Sequence, residues 1–429
     1  MIKTIFILLT GIATSLFLFP FDFVFLPNVN TKMMMALMGG GITAVQMIKS
    51  YTLKIQEDFI KVCLWAAFFS LIGVFSVIYN NTPDYAYASY LVSMLVWLSA
   101  AYAVCQCIQW VHGKASFRLL TNYLIGVCLF QCIMALIITF SEPVKILVDS
   151  YVDQGHYFYE DIGRLYGIGA SLDVAGIRFA VVLVLLMHLI CVDEQIRENR
   201  KWLLTYIAVF AIISVVGNMI ARTTSAGMLV AIAYAVYATK IVRLEIKESS
   251  FMIWKWMLGI FGVITLITAF LYHYNEDVYE MLRFGFEGFF NWVEYGKWET
   301  SSTDHLKNMW VWPESDKTWL IGDGYFNAPE KFDTEHKGLY GFYMHTDIGY
   351  LRFIWYCGLP GLIVFCLFLF YLARLCTRKY MNEKMVFYIL FVLQLVIFTK
   401  VATDIFLVFA FYYAANIEEK SSPVYTLES

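Results

Sequence analysis

Residues 172–192 read LDVAGIRFAVVLVLLMHLICV. Asp173 and Arg178 are the only formally charged residues in the stretch, and its apolar residues are continuous rather than set at amphipathic spacing. As a helix rising 1.5 Å per residue it reaches across a hydrocarbon core about 30 Å thick. Blocks of the same kind lie at about 4–26, 31–49, 59–79, 86–111, 117–140, 202–221, 223–241, 253–273 and 346–373. A further block, 385–413, is interrupted by Lys400 and Asp404 and reads either as one span or as a pair of short broken helices.

Composition agrees with this reading. Of 429 residues 60% are hydrophobic and only 15% charged, with a mean hydropathy of +0.64, whereas soluble domains carry about a quarter charged residues. Barrel strands would alternate apolar and polar residues in short pieces. Continuous apolar blocks in lipid must be helices, so that every backbone group is paired internally. The predicted fold is therefore all-α. It is a polytopic transmembrane bundle of about 11–12 spans, one integral membrane domain over residues 1–429. Two polar segments interrupt it, 141–171 and the large, partly helical 274–345.

Basic residues orient the bundle. Lys49/Lys54/Lys61, Lys114/Arg118, Arg197/Arg200/Lys201, Lys240/Arg243/Lys247 and Arg374/Arg378/Lys379/Lys384 fall in alternate connections, and the intervening short ones carry almost none. By the positive-inside rule these connections and the N-terminus are cytoplasmic, so 141–171 and 274–345 are extracytoplasmic. Lys3 precedes an apolar run to about Leu26 without a small-x-small cleavage site, which reads as a retained first span rather than a signal peptide. The nine cysteines avoid both long polar segments, so no disulfide framework is indicated, and Cys105-x-Cys107 reads as small apolar filler. The net charge of −3 says nothing about partners, and no nucleic-acid-binding pattern is present. Gly39-Gly40-Gly41 reads as a close helix-packing surface. The absence of a visible internal repeat weighs against an inverted-repeat transporter.

Charges inside apolar blocks cost about 2.5–3.5 kcal/mol each, so they face a cavity or a partner. Arg164, Arg178, Arg222 and Arg352 all fall near the predicted extracytoplasmic ends of their spans. Guanidinium forks bind phosphate oxygens in pairs and never go neutral. The four arginines thus make a candidate anion site, against the plainer reading in which Asp173 or Asp347 merely neutralises one of them. Lys400 and Asp404, one helical turn apart, read as a pair with each other. The segment 274–345 is acidic and rich in aromatics, among them Trp292, Trp298, Trp310, Trp312 and Trp319. Glu276–Trp298 reads as an interfacial helix, and the rings serve either as membrane anchors or as a platform for sugars. Where this segment returns to the next span, His345 and Asp347 are candidate general bases. No carboxylate or histidine cluster at metal-ligand spacing is apparent.

Three places resemble the bacterial O-antigen polymerase and O-antigen ligase superfamily. They are Arg164-Leu-Tyr-Gly before Asp173; Arg222-Thr-Thr-Ser-Ala-Gly; and Leu320-Ile-Gly-Asp-Gly-Tyr with His345-Thr-Asp-Ile-Gly-Tyr-Leu-Arg352 and Gly358-Leu-Pro-Gly361. The ligase pattern sets a catalytic histidine eleven residues before Gly-x-x-Gly, and Asp347 holds that position here, so the chain is more similar to the polymerases. The resemblance implies an inverting, metal-independent glycosyltransferase of the inner membrane, with no cofactor. It would polymerise polyprenyl-diphosphate-linked oligosaccharide repeat units at the outer face, in lipopolysaccharide or related polysaccharide biosynthesis. Asp347 or His345 would be the base, and Arg164, Arg178, Arg222 and Arg352 would hold the undecaprenyl diphosphate of the lipid-linked glycan. A chain-length regulator, a flippase and membrane lipid are the implied partners. The alternatives are a ligase that transfers finished polymer to lipid A core, and a polysaccharide transporter or flippase.

Overall fold

The computed structural model describes residues 2–50, 56–153, 164–241, 248–329 and 341–416. The chain is mostly helical. In order come α1 (Ile2–Leu18), β1 (Asp22–Phe23), β2 (Leu26–Asn30), α2 (Thr31–Ser50), α3 (Glu57–Asn80), α4 (Tyr90–His112), α5 (Phe117–Phe140), α6 (Glu142–Tyr151) and β3 (Val152–Asp153). There follow α7 (Leu172–Val192), α8 (Glu194–Glu198), α9 (Arg200–Ile220), α10 (Thr224–Ala238) and α11 (Glu248–Tyr274). The second polar segment contributes α12 (Glu276–Gly285), α13 (Glu287–Tyr295), α14 (Ser301–Asn308) and α15 (Asp316–Leu320), and the chain closes with α16 (Gly349–Lys379), α17 (Lys384–Ile397) and α18 (Phe406–Ala414).

Seven of these, α3, α4, α5, α7, α9, α11 and α16, are long and apolar enough to cross a membrane. Helices α1 and α10 are apolar but shorter, and α2 matches the seven in length though not in hydropathy. The block 385–413 takes the broken form, α17 and α18 joined by non-helical residues 398–405. The first block is shorter than its hydropathy: helix stops at Leu18, and Asp22–Phe23 pairs antiparallel with both β2 and β3 in a small sheet. Pro20 supplies the stop, because it has no N–H for the helical ladder. The stretch Glu276–Trp298 forms two helices rather than one, parted at Phe286. Of the three glycines in α2 only Gly39 makes a close approach, against the Ser99 carbonyl of α4, while Gly40 and Gly41 face open space. All nine cysteines are free.

Helix α7 is the axis of the bundle. It is buried almost throughout, packed by α5, α9, α10 and α17, whereas α11 lies at the edge with nearly all of its apolar surface uncovered. That contrast explains why 172–192 lacks any polar stripe: a helix enclosed on all sides has no face for one.

The second polar segment is tied to the bundle by a kink in α16. Pro360 has no N–H to offer the Tyr356 carbonyl, and the helix breaks at Cys357 and Gly358, the latter at φ +70°. The freed Tyr356 carbonyl accepts from Ser76 Oγ at 2.7 Å and from the Gly324 amide at 3.2 Å, and the Trp355 carbonyl accepts from the Asp323 amide at 2.6 Å. A β-carbon on Gly358 would lie 2.6 Å from the Leu320 carbonyl carbon, so only glycine lets the segment approach. Residues at and just beyond the end of α3 grip the same strip. Asn80 donates to the Gly322 carbonyl at 3.1 Å, Thr82 to that of Gly324 at 2.7 Å, and Asp84 accepts from the amides of Phe326 and Asn327 at 2.8 and 3.0 Å.

Candidate functional site

Two helices of the second polar segment, α12 and α14, start at capping residues. Asn275 accepts from the Val278 amide and Thr300 from that of Thr303, both at 3.0 Å, which fixes the first turns of α12 and α14. These helices roof a cavity of about 530 Å³. Its floor is formed by Arg164, by Asp173 at the start of α7, by Arg222 in the turn from α9 to α10, by Asp347 and by Lys400.

Arg164 and Arg222 both stand over the ring of Phe284, at 4.7 and 4.2 Å from its centre. Arg222 also makes a 2.5 Å ion pair with Glu287 of α13 and donates to Ser301 Oγ at 3.2 Å. Burial holds its guanidinium below the ordinary range; Glu287 opposes that shift and the charge of Arg164 adds to it. The Arg222 Nε has no hydrogen-bond partner among the described residues.

Lys400 pairs with Asp173, Nζ to Oδ1 3.0 Å, and not with Asp404. It also donates to Thr223 Oγ1 at 2.8 Å, while Thr223 bonds Asp173. The helical spacing that suggested a Lys400–Asp404 pair does not exist, because residues 398–405 are not helical. Gln394 holds that break open: its side chain donates to the Thr403 carbonyl at 3.2 Å and accepts from the Ile405 amide at 2.7 Å. Asp404 turns away to cap α18, accepting from the Phe406 amide at 2.8 Å. Gly349 packs so closely on the break that a β-carbon would meet the Val401 carbonyl oxygen at 2.6 Å, which sets Lys400 near Asp347 at the head of α16.

Asp347 is the one candidate base inside this cavity. Burial pushes its carboxyl up to about 7, with the charges of Arg352 and Lys400 pulling the other way and Asp173 adding to the rise. His345 lies outside it, exposed, and holds a left-handed backbone at φ +53° next to Met344 at φ +55°.

The other two arginines belong to a second, smaller cavity of about 210 Å³. Arg352 reaches Asp347 at 3.5 Å, but it also donates to the Phe326 carbonyl at 3.0 Å and Asn327 Oδ1 at 3.1 Å. Its guanidinium lies 3.7 Å from the Phe326 ring centre and 4.1 Å from that of Phe342. It thus clamps the segment that ends at α16 while touching Asp347. Arg178 is buried one and a half turns down α7 from Asp173. The four arginines therefore divide between two cavities.

Sequence reading overlooked Lys400 as a cavity residue, together with Glu287 and His305, which also lines the larger cavity. His305 carried no signal, being an ordinary histidine on a short polar helix. It also overlooked His188, which is buried near the other end of α7 and hydrogen-bonds Glu383, and Tyr234 at 2.8 Å. Among the described residues no three metal-ligating side chains converge. The arrangement has the means to hold a phosphate-class anion against cations beside a carboxyl able to exchange a proton near neutral pH. No family model, curated protein or solved structure matches the chain.

Proposed function

We propose that the protein is a membrane glycosyltransferase that extends a glycan carried on a polyprenyl diphosphate, joining repeat units at the extracytoplasmic face of the inner membrane. The observation that carries the reading is the larger cavity, where Arg164, Arg222 and Lys400 meet Asp347 beneath the helices of the 274–345 segment.

In the proposed reaction an acceptor sugar hydroxyl attacks the anomeric carbon of the donor. The new glycosidic C–O bond forms as the bond from that carbon to the phosphate oxygen breaks. Asp347 takes the hydroxyl proton, and the electron pair of the broken bond leaves on the diphosphate. A base titrating near the working pH suits this step. The cations answer the charge that develops on the leaving group, which is where fixed charges lower a barrier most. Glu287 pairs with Arg222 and would give way to the diphosphate. Trp310 is tilted against Trp312, which stacks on Trp319, with ring centres 5.6 and 5.9 Å apart, and the three offer sugars an apolar face.

The test is the length of surface glycan on a gel, in a deletion strain complemented with wild type, Arg222→Ala or Asp347→Asn at matched expression. Single repeat units in the deletion strain, with a ladder restored by wild type and not by the variants, support polymerisation. Polymer trapped on its lipid carrier would mean a ligase, and a full ladder from both variants would remove the site.

A further inference from the structure

The smaller cavity has a chemistry of its own. Arg178 enters it almost fully buried, 6% exposed, and has neither a hydrogen bond nor an ion pair among the described residues; its nearest aromatic contact is Phe19, 5.5 Å from the ring centre. A guanidinium carries five N–H donors, and a buried charge without a partner costs several kcal/mol. Asp404 lines the same cavity and attracts Arg178 across it, but its carboxylate bonds the Phe406 amide and makes no ion pair with the guanidinium. Had the pair existed only to cancel charge, the fork of the arginine would close on the carboxylate. The gap stays open. Arg352 adds a second cation to the lining, with its Nε unpartnered, and Lys32 stands 4.7 Å from the ring centre of the lining Trp97. Arg178, Arg352 and Asp404 are thus the charged side chains that line a space of about 210 Å³, with Asp347 answering Arg352 from outside it; the space is several times the ~30 Å³ that one water occupies.

We propose that this cavity is a second anion site, separate from the one beneath α14, and that it binds a phosphate group flanked by a hydroxyl. Arg178 takes the phosphate oxygens, Arg352 and Lys32 add charge, and Asp404 accepts from the hydroxyl. Both a lipid-linked sugar phosphate and a free one present this chemistry. The site goes beyond the transfer reading and stands without it, since it concerns binding alone.

The experiment is calorimetric titration of the full chain in detergent with inorganic phosphate, then with glucose 1-phosphate and farnesyl phosphoglucose to separate a soluble source from a lipid one. Wild type is expected to bind two phosphates per chain; Arg178→Gln removes one and Arg222→Gln the other. Binding unchanged in Arg178→Gln, or a single event in wild type that only Arg222→Gln removes, overturns the proposal. Should Arg178→Gln fail to fold, Asp404→Asn keeps a capping side chain and removes a negative charge from the cavity, so phosphate binding should tighten several-fold. Binding unaltered or weakened in Asp404→Asn overturns it equally. Failure of either kind leaves the glycan-ladder result intact.

Discussion

Burial outweighs the cations around Asp347, and the balance has consequences for both rate and stability. Its carboxyl shifts from 3.8 to about 7, so a reaction that needs it ionised slows about tenfold for each pH unit below that value. Asp347→Asn should flatten this limb and cut turnover roughly 100-fold or more, the usual worth of a general base, read by initial rates against pH. Stability follows the opposite sense. Below 3.8 the group is protonated folded and unfolded alike, and its contribution is whole. Between 3.8 and about 7 the unfolded chain releases the proton and the folded one keeps it, so stability falls as pH rises and then levels off. Asp347→Asn should therefore melt higher than wild type, by a margin that widens over that interval; an equal margin at all pH values would contradict the burial argument. His345 makes the contrast. Its left-handed backbone suits glycine, so His345→Gly should keep melting temperature and ladder length near wild type. A lost ladder would reinstate His345 as the base.

At the scale of elements, the roof of the larger cavity hangs on few contacts, which can be tested singly. Glu287→Gln removes the charge that occupies Arg222, keeps an acceptor for the Ser301 amide, and turns the group facing the Ser301 hydroxyl into a donor that the hydroxyl can accept from. It should bind inorganic diphosphate several-fold tighter than wild type by calorimetry; weaker binding would show that Glu287 orients Arg222 rather than competing for it. Gly358→Ala places a β-carbon 2.6 Å from the Leu320 backbone at a φ of +70°. It should cost upwards of ~1 kcal/mol and speed proteolytic cutting of the 274–345 segment. The long helices were legible because a run such as 172–192 declares itself by length and hydropathy alone. The break at Phe286 was less so, since packing decides it, and the stop of α1 before Pro20 is masked by hydropathy that runs on past it. Arg164, Arg222 and Asp347 were legible as polar groups at helix mouths. Lys400 was misread, because its distance from Asp404 was counted as helix where Gln394 holds the chain open.

Across the whole molecule, charged and polar groups on α7 fall at two levels. Asp173 and Arg178 adjoin the two cavities, and His188 meets Glu383 and Tyr234 about 15 Å further on, at 1.5 Å per residue. Residues 179–187 between them are all apolar and buried. A transport route would need polar footing along that interval, and α7 supplies none. Labelling can test the orientation this assumes. The native thiols are buried or half-buried and give little background. Lys297→Cys should react with an impermeant maleimide in spheroplasts and Lys201→Cys only after permeabilisation; the reverse pattern would invert the topology and end the proposed reaction at that face. The kink of α16 bears on how such a protein changes over generations. Carbonyls left bare by the kink at Cys357–Pro360 are completed by amides of residues 323 and 324, so helix and loop each lack what the other holds. A graft that brings a foreign specificity loop without its own helix would arrive with mismatched edges, and recombination should therefore trade residues 320–361 as one cassette.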